Sequence, residues 1–291
     1  MKNKLKFSIV IPVCNDLNYL KALLDSISKQ SIEPNEIIII DSSTNLEIQN
    51  FFDNNYLNLN IIYKSYYNTE NFKYGFPGLS RNIGSKLSEN DDILFLDTKT
   101  ILPKNNFNWL NDFYKIFLNS GKDYLIGKTL FIPNNYLQEI HYSSSYGNKI
   151  YNTVPGSFVK KGFIRNNQFL PNLRAGEDME WKIRVNNKIP FQHYDSNGPL
   201  IYNDKNNSLL NLIFKYILYS FHSAKTEIQI NTKHLYLSLL LILSLLIVPR
   251  WNFIIGGWTS NPLYIPNVTK IYFISIILLL LINIFINYFF F

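Results

Sequence analysis

The stretch FSIVIPV, residues 7–13, is the first indication of the fold class, because it is an unbroken apolar run rich in β-branched side chains. Three later stretches have the same character: EIIIID at 36–41, LNIIYKS at 59–65 and DDILFLD at 91–97. Short, continuous apolar runs of this kind are typical of strands that are covered on both faces. Lysines precede the first run as they do in a signal peptide, but the run is short and contains Pro12, so we predict a buried strand there.

Helical patterns alternate with these strands. Four apolar residues recur at helical spacing after the first strand: Leu20, Leu23, Leu24 and Ile27. A second helical pattern, LSRNIGSKLS at 79–88, follows the third strand, and this alternation predicts an α/β fold with an open parallel sheet. Asn15, Asp41 and Asp97 lie at or just past strand ends. Because such sheets bind ligands at the carboxyl edge of their strands, we expect these three side chains to face a ligand.

Composition excludes several classes of protein. The chain has 291 residues, 47% of them hydrophobic, so a disordered or fibrous protein is excluded. A single cysteine, Cys14, excludes a disulfide framework and a cysteine-based zinc site, and it fits a reducing compartment. The formal charge of +7 is compatible with an anionic membrane or a phosphorylated ligand. The lysines are scattered singly, so we expect no nucleic-acid partner.

The C-terminal part of the chain is strongly apolar. Residues 271–291 carry no charge, and as a helix they would be roughly 31 Å long, which matches a hydrocarbon core. A second apolar stretch, about 235–256, contains Pro249 and Arg250. We predict two transmembrane helices; for the stretch at 235–256, a re-entrant or interfacial segment is the alternative.

The segment SLLNLIFKYILYSFHS, residues 208–223, is predicted to form a helix on the membrane surface. Its polar residues share one helical stripe: Ser208, Asn211, Lys215 and His222. The alternative is a helix that packs on the preceding domain. Lysines are more frequent before the predicted spans than in the loop between them, which favours an N-terminal part that faces the cytoplasm. The predicted domains are 1–204, a linker with the surface helix at 205–234, and the anchor at 235–291.

Four motifs occur in a characteristic order: VIPVCNDLNYL, IIIIDSST, GLSRNIGSKLSENDDILFLD and GEDMEWKIRV. This order resembles family 2 inverting glycosyltransferases of the GT-A fold, a Rossmann-like open mixed sheet, over roughly residues 6–204. The similarity is greatest to the membrane-anchored members that build surface polysaccharides. It implies a nucleotide-sugar donor, with UDP as the expected nucleotide, bound at the carboxyl edge of the first four strands.

The resemblance assigns the donor site residue by residue. Pro12, Val13 and Asn15 would line the nucleoside pocket, and Asp41 would bind the base. An aspartate that caps a turn is the alternative for Asp41. Arg81 and Asn82 match the Arg-Asn pair beside the donor diphosphate, a role that suits a guanidinium.

Glu177 and Asp178 match the Glu-Asp pair of the family, in which the aspartate is the catalytic base. Inverting transfer is a single displacement, and it needs a base that takes the proton of the acceptor hydroxyl. The alternative is structural, because carboxylates at the start of a helix are stabilised by the helix dipole.

The acceptor side is assigned by the same resemblance. Gly156 and Ser157 match the segment that forms the acceptor-side wall. Trp181 and Arg184 follow the catalytic pair at helical spacing, which turns them partly toward the same region. Trp181 would stack on a sugar or, as the alternative, pack within the protein. For Arg81, the corresponding alternative is a surface arginine paired with a nearby aspartate, Asp91 or Asp92.

The sequence departs from the family at both metal positions. The family's Asp-x-Asp reads Asp97-Thr98-Lys99 here, and a lysine cannot ligate a cation. Asn203 stands where many members carry a metal-binding histidine, and His193 is ten residues earlier. Three interpretations are open: Lys99 neutralises the leaving diphosphate without a metal, Asp97 alone holds Mg²⁺ or Mn²⁺ weakly, or the domain is inactive.

The sequence therefore predicts a membrane-anchored glycosyltransferase that faces the cytoplasm and transfers a sugar to a lipid-linked or surface-polysaccharide acceptor. The alternative is a catalytically inactive GT-A-like scaffold or donor-binding protein. A sugar nucleotidyltransferase shares the sheet type, but it needs a glycine-rich loop after the first strand. That place holds VCNDLN, which has no glycine.

Overall fold

The structure is a computed structural model. It describes the following residues: 3–54, 59–67, 75–133, 135–145, 150–188, 198–202, 208–226, 228, 230–256 and 261–290. The chain forms two compact units, Met1–Thr226 and Glu227–Phe291. The predicted surface helix therefore belongs to the first unit.

Within its described residues, the first unit is built on an eight-stranded sheet. The strands are β1 Asn3–Val13, β2 Ile32–Asp41, β3 Ile61–Ser65, β4 Asp92–Phe95, β5 Thr100–Ile101, β6 Tyr124–Phe131, β7 Ile150–Lys160 and β8 Leu200–Tyr202. Their order across the sheet is β3-β2-β1-β4-β7-β6-β8-β5. The pairs among β1 to β4 are parallel, whereas β7 runs antiparallel to β4 and to β6. The open mixed α/β sheet expected from the sequence is confirmed.

Helices cover both faces of this sheet. They are α1 Leu17–Ser28, α2 Glu47–Asn54, α3 Pro77–Leu87, α4 Trp109–Ser120, α5 Tyr136–Ser145, α6 Lys161–Asn166, α7 Glu177–Lys188 and α8 Leu209–Ala224. On one face, buried residues of α1 and α4 form a core with the sheet, and on the other face the core includes residues of α6 and α7. The sheet is therefore the middle of three layers.

Strand β2 shows why the apolar runs of the sequence are unbroken. Ile37 and Ile39 belong to the core on one face of the sheet, while Ile38 and Ile40 belong to the core on the other face. Successive side chains of a strand point to opposite faces. A strand with a packed layer on each side therefore needs an apolar residue at every position, and β2 has one at each of these four.

The first two strands begin earlier than the apolar runs predict. β1 starts at Asn3, which pairs with Ile32, and Leu5 pairs with Pro34. Pairing between backbones does not require apolar side chains, so the pattern does not show this extension. The third strand is shorter than predicted, because it begins at Ile61.

Helix α8 presents an apolar surface. Several large apolar side chains along it are 46–67% exposed: Leu209, Leu210, Ile213, Phe214, Ile217 and Phe221. His222 is buried and accepts a hydrogen bond at Nδ1 from the backbone N–H of Arg174, at 3.4 Å. The helix is therefore in contact with its unit near its C-terminal end, while much of its apolar surface remains uncovered.

The second unit is helical. It contains α9 Ile230–Ile247, a 3-10 turn at Val248–Arg250, α10 Trp251–Ile254 and α11 Asn267–Phe290. In the described part of the chain, the helical run Lys233–Ile254 is long and apolar enough to cross a membrane, and Asn267–Ile282 is a shorter apolar segment. The two predicted spans fall on these helices, and their insertion into a membrane stays a prediction.

Candidate active site

Helix α3 brings Arg81 to the carboxyl edge of the sheet. Pro77 stands in the first turn of the helix, where a missing N–H has no consequence. Gly84 lets the helix lie close to β1, because a Cβ at this position would overlap Val10. Arg81 precedes Gly84 by one helical turn and shares its face. Its side chain therefore points into the protein and is only 1% exposed.

The guanidinium of Arg81 joins three carboxylates. Its Nη1 donates to Asp178 Oδ1 at 2.6 Å and to Glu177 Oε1 at 3.0 Å, and its Nη2 donates to Asp97 Oδ1 at 2.7 Å. Charge-assisted hydrogen bonds of this length are among the strongest in proteins. Arg81 thus connects the acid predicted on the donor side with the predicted catalytic pair. We call these four residues the acid cluster.

Local structure holds each carboxylate in place. Asp97 lies just past β4, in a tight turn in which Thr100 donates both its N–H (2.9 Å) and its hydroxyl (2.6 Å) to the Asp97 carbonyl oxygen. Glu177 and Asp178 open α7, where the helix dipole favours negative charge. Gly176, just before them, has a φ of +81° that glycine adopts without strain.

The acid cluster has more acids than bases. Three carboxyl groups face one guanidinium, and its buried Nε has no hydrogen-bond partner among the residues that the structure describes. Burial, together with the negative charge of Asp178, raises the pKa of Glu177 from its ordinary value of 4.5 to about 8, although Arg81 acts in the opposite direction. Glu177 therefore carries a proton at neutral pH, which reduces the repulsion between the two adjacent acids.

The two acids of the pair differ in access to solvent. The Asp178 side chain is 30% exposed, whereas that of Glu177 is 8% exposed. A base that takes a proton from a substrate has to be reachable by it. Asp178 is therefore the more accessible acid of the pair, and its role as the proton acceptor stays a prediction.

On the nucleoside side, Asn15 and Asp41 hold two strand ends together. Asn15 has a left-handed φ of 58°, its N–H donates to Ser43 Oγ at 2.8 Å, and its Oδ1 accepts from the Thr44 N–H at 3.0 Å. Asp41 is buried and accepts from the Ser43 N–H at 2.8 Å and from the Tyr63 hydroxyl at 2.6 Å. Asp41 caps a turn, which is the alternative role predicted for it, and its contact with a nucleotide base stays a prediction.

The other predicted donor residues occupy structural positions at the same edge. Pro12 and Val13 end β1, and the Val13 carbonyl oxygen accepts from the N–H and hydroxyl of Ser42 at 2.9 and 3.0 Å. The side-chain amide of Asn82 donates from Nδ2 to the Phe169 carbonyl oxygen at 2.8 Å and accepts at Oδ1 from the Phe169 N–H at 3.0 Å. The alternative prediction that Arg81 pairs with Asp91 or Asp92 is wrong. Its contact with a diphosphate stays a prediction.

The described residues fit a tightly bound divalent cation poorly. Asp97 is the single acid of its Asp-Thr-Lys motif, and Arg81 already binds one of its oxygens. Among the residues that the structure describes, no group of three or more His, Cys, Asp or Glu side chains has an arrangement suited to a metal. Lys99 lies within the turn that joins Asp97 to Thr100, with its Nζ 5.4 Å from the centre of the Tyr19 ring. Asn203 and His193 lie outside the described residues.

Trp181 occupies the core. The indole is fully buried, stacks on Phe169 with ring centroids 4.9 Å apart, and donates from Nε1 to the Asn167 carbonyl oxygen at 2.6 Å. Its helical spacing from the catalytic pair turns it inward, against the apolar layer on that face of the sheet. The assignment of Trp181 to the acceptor side is therefore replaced by its packing alternative, because no face of the ring is open to a sugar.

The remaining acceptor-side candidates also have internal partners. Ser157 is buried, and its hydroxyl accepts from the Gly127 N–H at 2.8 Å. Gly156, with a φ of +85°, packs at the same irregularity between β6 and β7. Arg184 forms a bidentate ion pair with Glu180, at 2.5 and 3.0 Å. Ser157 therefore offers no exposed side chain to an acceptor, whereas the Arg184 side chain is 30% exposed, and any role of these residues on the acceptor side stays a prediction.

Two basic residues near the site were not among the residues predicted from the sequence. Arg174 donates from Nη1 to the Gly75 carbonyl oxygen, a contact between loops that are far apart in the chain. Lys182 donates to the Asn152 carbonyl oxygen at 2.7 Å, and burial lowers its pKa. The four-residue spacing between Lys182 and Asp178 on a helix was a usable signal. No local pattern marks Arg174.

Comparison with solved structures supports the fold. Residues 1–349 of Staphylococcus aureus TarS, solved in complex with UDP-GlcNAc, align with a TM-score of 0.53 and 17% identity. The alignment covers 94% of this chain and 72% of that one. At this level of identity the similarity concerns the fold, and it confirms the GT-A-type architecture expected from the sequence.

Sequence comparison finds relatives among transferases. The poly(ribitol-phosphate) beta-N-acetylglucosaminyltransferase TarS of Staphylococcus aureus is 32% identical over 110 residues, which are 34% of this chain and 17% of that protein. The poly(ribitol-phosphate) beta-glucosyltransferase of Bacillus spizizenii is 27% identical over 188 residues, 60% of this chain and 28% of that protein. The matched part of the chain thus spans 17–28% of the length of these relatives.

The family itself follows from a match over more than half of the chain. The sequence model described as Glycosyl transferase family 2 matches residues 8–173, which run from β1 to the loop before α7. This region contains the whole predicted donor side and ends just before the catalytic pair. With the sheet, the acid cluster and the relatives in agreement, the chain is a glycosyltransferase and belongs to glycosyl transferase family 2.

Proposed function

We propose that this chain is an inverting transferase that moves a sugar from a UDP-sugar to a hydroxyl group of a lipid-linked or cell-surface polysaccharide acceptor. The observation that carries the proposal is the acid cluster. It places a solvent-accessible carboxylate, Asp178, next to an acid at the end of β4, and a single buried arginine fixes both. A base beside the donor edge of the sheet is the arrangement that a single displacement requires.

In this mechanism the acceptor oxygen attacks the anomeric carbon from the side opposite the diphosphate. The bond between the anomeric carbon and the diphosphate oxygen breaks, and its electron pair leaves with the nucleoside diphosphate. The hydroxyl proton passes to a carboxylate oxygen of Asp178. Arg81 holds Asp178 at 2.6 Å through its Nη1, so the base is oriented before substrates bind.

Relatives of the chain support the proposed donor and acceptor classes. A solved structure with the same fold, TarS, is a complex with UDP-GlcNAc, which supports a UDP-sugar donor. Two relatives are named for transfer to poly(ribitol-phosphate), a polymer that is anionic because of its phosphate groups. The net charge of +7 is compatible with an acceptor of that kind.

We propose that the chain is anchored to a membrane with its catalytic unit on the cytoplasmic side. The exposed apolar side chains of α8 and the apolar helix Lys233–Ile254 support the anchor. The excess of lysines ahead of the spans supports the orientation. An anchor would hold the site close to an acceptor that is confined to the bilayer, which raises its effective concentration.

We expect the full chain to remain with the membrane fraction after an alkaline carbonate wash, because transmembrane helices are removed only by detergent. We expect protease added to inverted vesicles, but not to sealed cells, to digest the catalytic unit. Recovery of most of the chain in the wash would contradict the anchor. Digestion in intact cells would contradict the orientation alone.

For the leaving diphosphate, we propose that Lys99 supplies the positive charge, with a weak Mg²⁺ or Mn²⁺ at Asp97 as the alternative. We expect UDP to bind to the detergent-solubilised chain without metal, and we expect Lys99→Ala to weaken this binding about tenfold. Calorimetric titration with and without Mn²⁺ measures both. Lys122→Ala, at an exposed lysine away from the site, is the control and should bind like the wild type.

Binding that requires Mn²⁺ and is unchanged in Lys99→Ala would show that Asp97 recruits the ion and that Lys99 is not needed. Absence of binding to UDP and to every common nucleotide sugar would contradict the proposed donor class. These outcomes are separable, because the first changes the metal requirement and the second removes binding in all conditions.

A further inference from the structure

Arg174 lies in the loop that leads into α7. Its Nη1 donates to the Gly75 carbonyl oxygen. A Cβ added to Gly75 would lie 2.7 Å from Arg174 Nη1 and also 2.7 Å from Cys14 Sγ, so these three residues meet at one place. Cys14 directly follows β1. The guanidinium of Arg174 is therefore at the carboxyl edge of the sheet, beside the segment predicted to bind the nucleoside.

The two arginines at this edge differ in how their charge is balanced. Arg81 is buried and donates to three carboxylates. Arg174 is half-buried, its side chain contacts the neutral carbonyl of Gly75, and in the described part of the chain it forms no ion pair. A guanidinium has several N–H donors in a planar fork, so one bond from Nη1 leaves others for a ligand.

A nucleoside diphosphate in the proposed site has to pass the end of β1. On the nucleoside side, Asn15 follows β1 and Asp41 is the last residue of β2, whereas Asp97 follows β4. In the sheet, β1 lies between β2 and β4, with neighbouring strands about 4.8 Å apart. The phosphates that connect the nucleoside to the anomeric carbon therefore cross beside Cys14, which is where Arg174 lies.

The charges near Cys14, where the diphosphate would pass, also favour an additional cation. With Glu177 protonated, the acid cluster still sets two charged carboxylates, Asp97 and Asp178, against one guanidinium, so it repels a diphosphate more than it attracts one. A planar guanidinium matches two phosphate oxygens at once, which a lysine cannot do. Arg174 has the charge, the position and the available donors for this contact.

We propose that Arg174 is a donor-binding residue that contacts the diphosphate of the nucleotide sugar, while Arg81 serves as a positioning residue inside the acid cluster. The inference rests on the proposed function, since it assumes a nucleoside-diphosphate donor. It adds a cation to the site that is distinct from Lys99 and that does not depend on a metal.

The test compares UDP with uridine, which lacks both phosphates. Binding of each to the full chain in detergent is followed by ligand-observed NMR for wild type, Arg174→Gln, Arg174→Lys and Arg165→Gln. Arg165 is an exposed arginine of α6 and serves as the matched control. We expect Arg174→Gln to weaken UDP binding about tenfold or more and to leave uridine binding unchanged, because one charge-assisted contact with phosphate is lost.

Arg174→Lys keeps the charge but not the fork, so its affinity for UDP should fall between those of wild type and Arg174→Gln. If Arg174→Gln does not fold, Arg174→Lys alone is compared with the wild type. Equal UDP binding by wild type and both Arg174 variants would overturn the inference. So would an equal loss of UDP and uridine binding, which would show that Arg174 only supports the Gly75 loop. A wild-type chain that binds neither ligand would instead contradict the proposed function.

Discussion

Replacing the proposed base, Asp178→Asn, is expected to reduce sugar transfer by about 10³-fold while leaving UDP binding intact. Asparagine has nearly the same shape and can still accept the hydrogen bond that Arg81 Nη1 donates at 2.6 Å. It cannot take a proton from the acceptor hydroxyl. The measurement is the transfer of labelled sugar from a UDP-sugar to membranes of the source cell, with UDP affinity measured on the same preparation.

The control for this variant is Asp25→Asn, which removes a carboxylate that is 60% exposed on α1 and remote from the acid cluster. It should transfer sugar at the wild-type rate. Unchanged transfer in Asp178→Asn would assign the base to another residue. If neither wild type nor variant transfers sugar, and cells with the variant make their usual glycan, the inactive scaffold is the better interpretation.

Removing the shared cation, Arg81→Gln, is expected to lower the free energy of unfolding by about 3–5 kcal/mol and to abolish transfer. The guanidinium is 1% exposed and is the partner of three carboxylates, which would face one another without it. Urea unfolding followed by tryptophan fluorescence measures the loss, since Trp181 packs in the neighbouring core. Arg81→Lys should recover part of the stability but little activity, because one ammonium cannot reproduce the fork.

The variant Glu177→Gln changes one acid of the acid cluster and leaves Arg81 in place. Because the pKa of Glu177 is about 8 in the folded chain and near its ordinary 4.5 when unfolded, the folded state binds more protons between these values. Wild-type stability should therefore fall, relative to Glu177→Gln, as pH rises from about 5 to about 8. The exposed Glu89→Gln should show no such difference. Parallel curves for wild type and Glu177→Gln would mean that the cluster does not retain this proton.

The sequence was sufficient for the sheet and for the order of the motifs. Apolar runs reveal buried strands because both faces of β1 and β2 are covered, and polar residues at their ends mark the ligand edge. Boundaries were less predictable, since the first residues of β1 and β2 pair through backbone groups that every residue carries. The Glu-Asp pair at the start of α7 was also visible, because both its motif and its position before a helix are local.

The direction in which a side chain points could not be predicted from the sequence. Trp181 follows Asp178 by three residues, a spacing that fits a side chain facing either a substrate or the core. In the structure it packs into the apolar layer on that face of the sheet. The same holds for Asn82, whose amide pairs with the backbone of Phe169, 87 positions away in the chain. Such contacts depend on how distant segments pack, and no spacing along the chain encodes them.

The amino-acid sequence is enough to predict an α/β sheet with acids at its carboxyl edge and a Glu-Asp pair after it, because strand burial, turns and helix starts are local properties. Which charges meet depends on the packing of the folded chain. It buried Arg81 among three carboxylates that come from two elements far apart in the chain, and it placed Arg174 beside Cys14. The physical reason is that an ion pair depends on distance in space, and the packing of α3 and α7 against the sheet sets that distance.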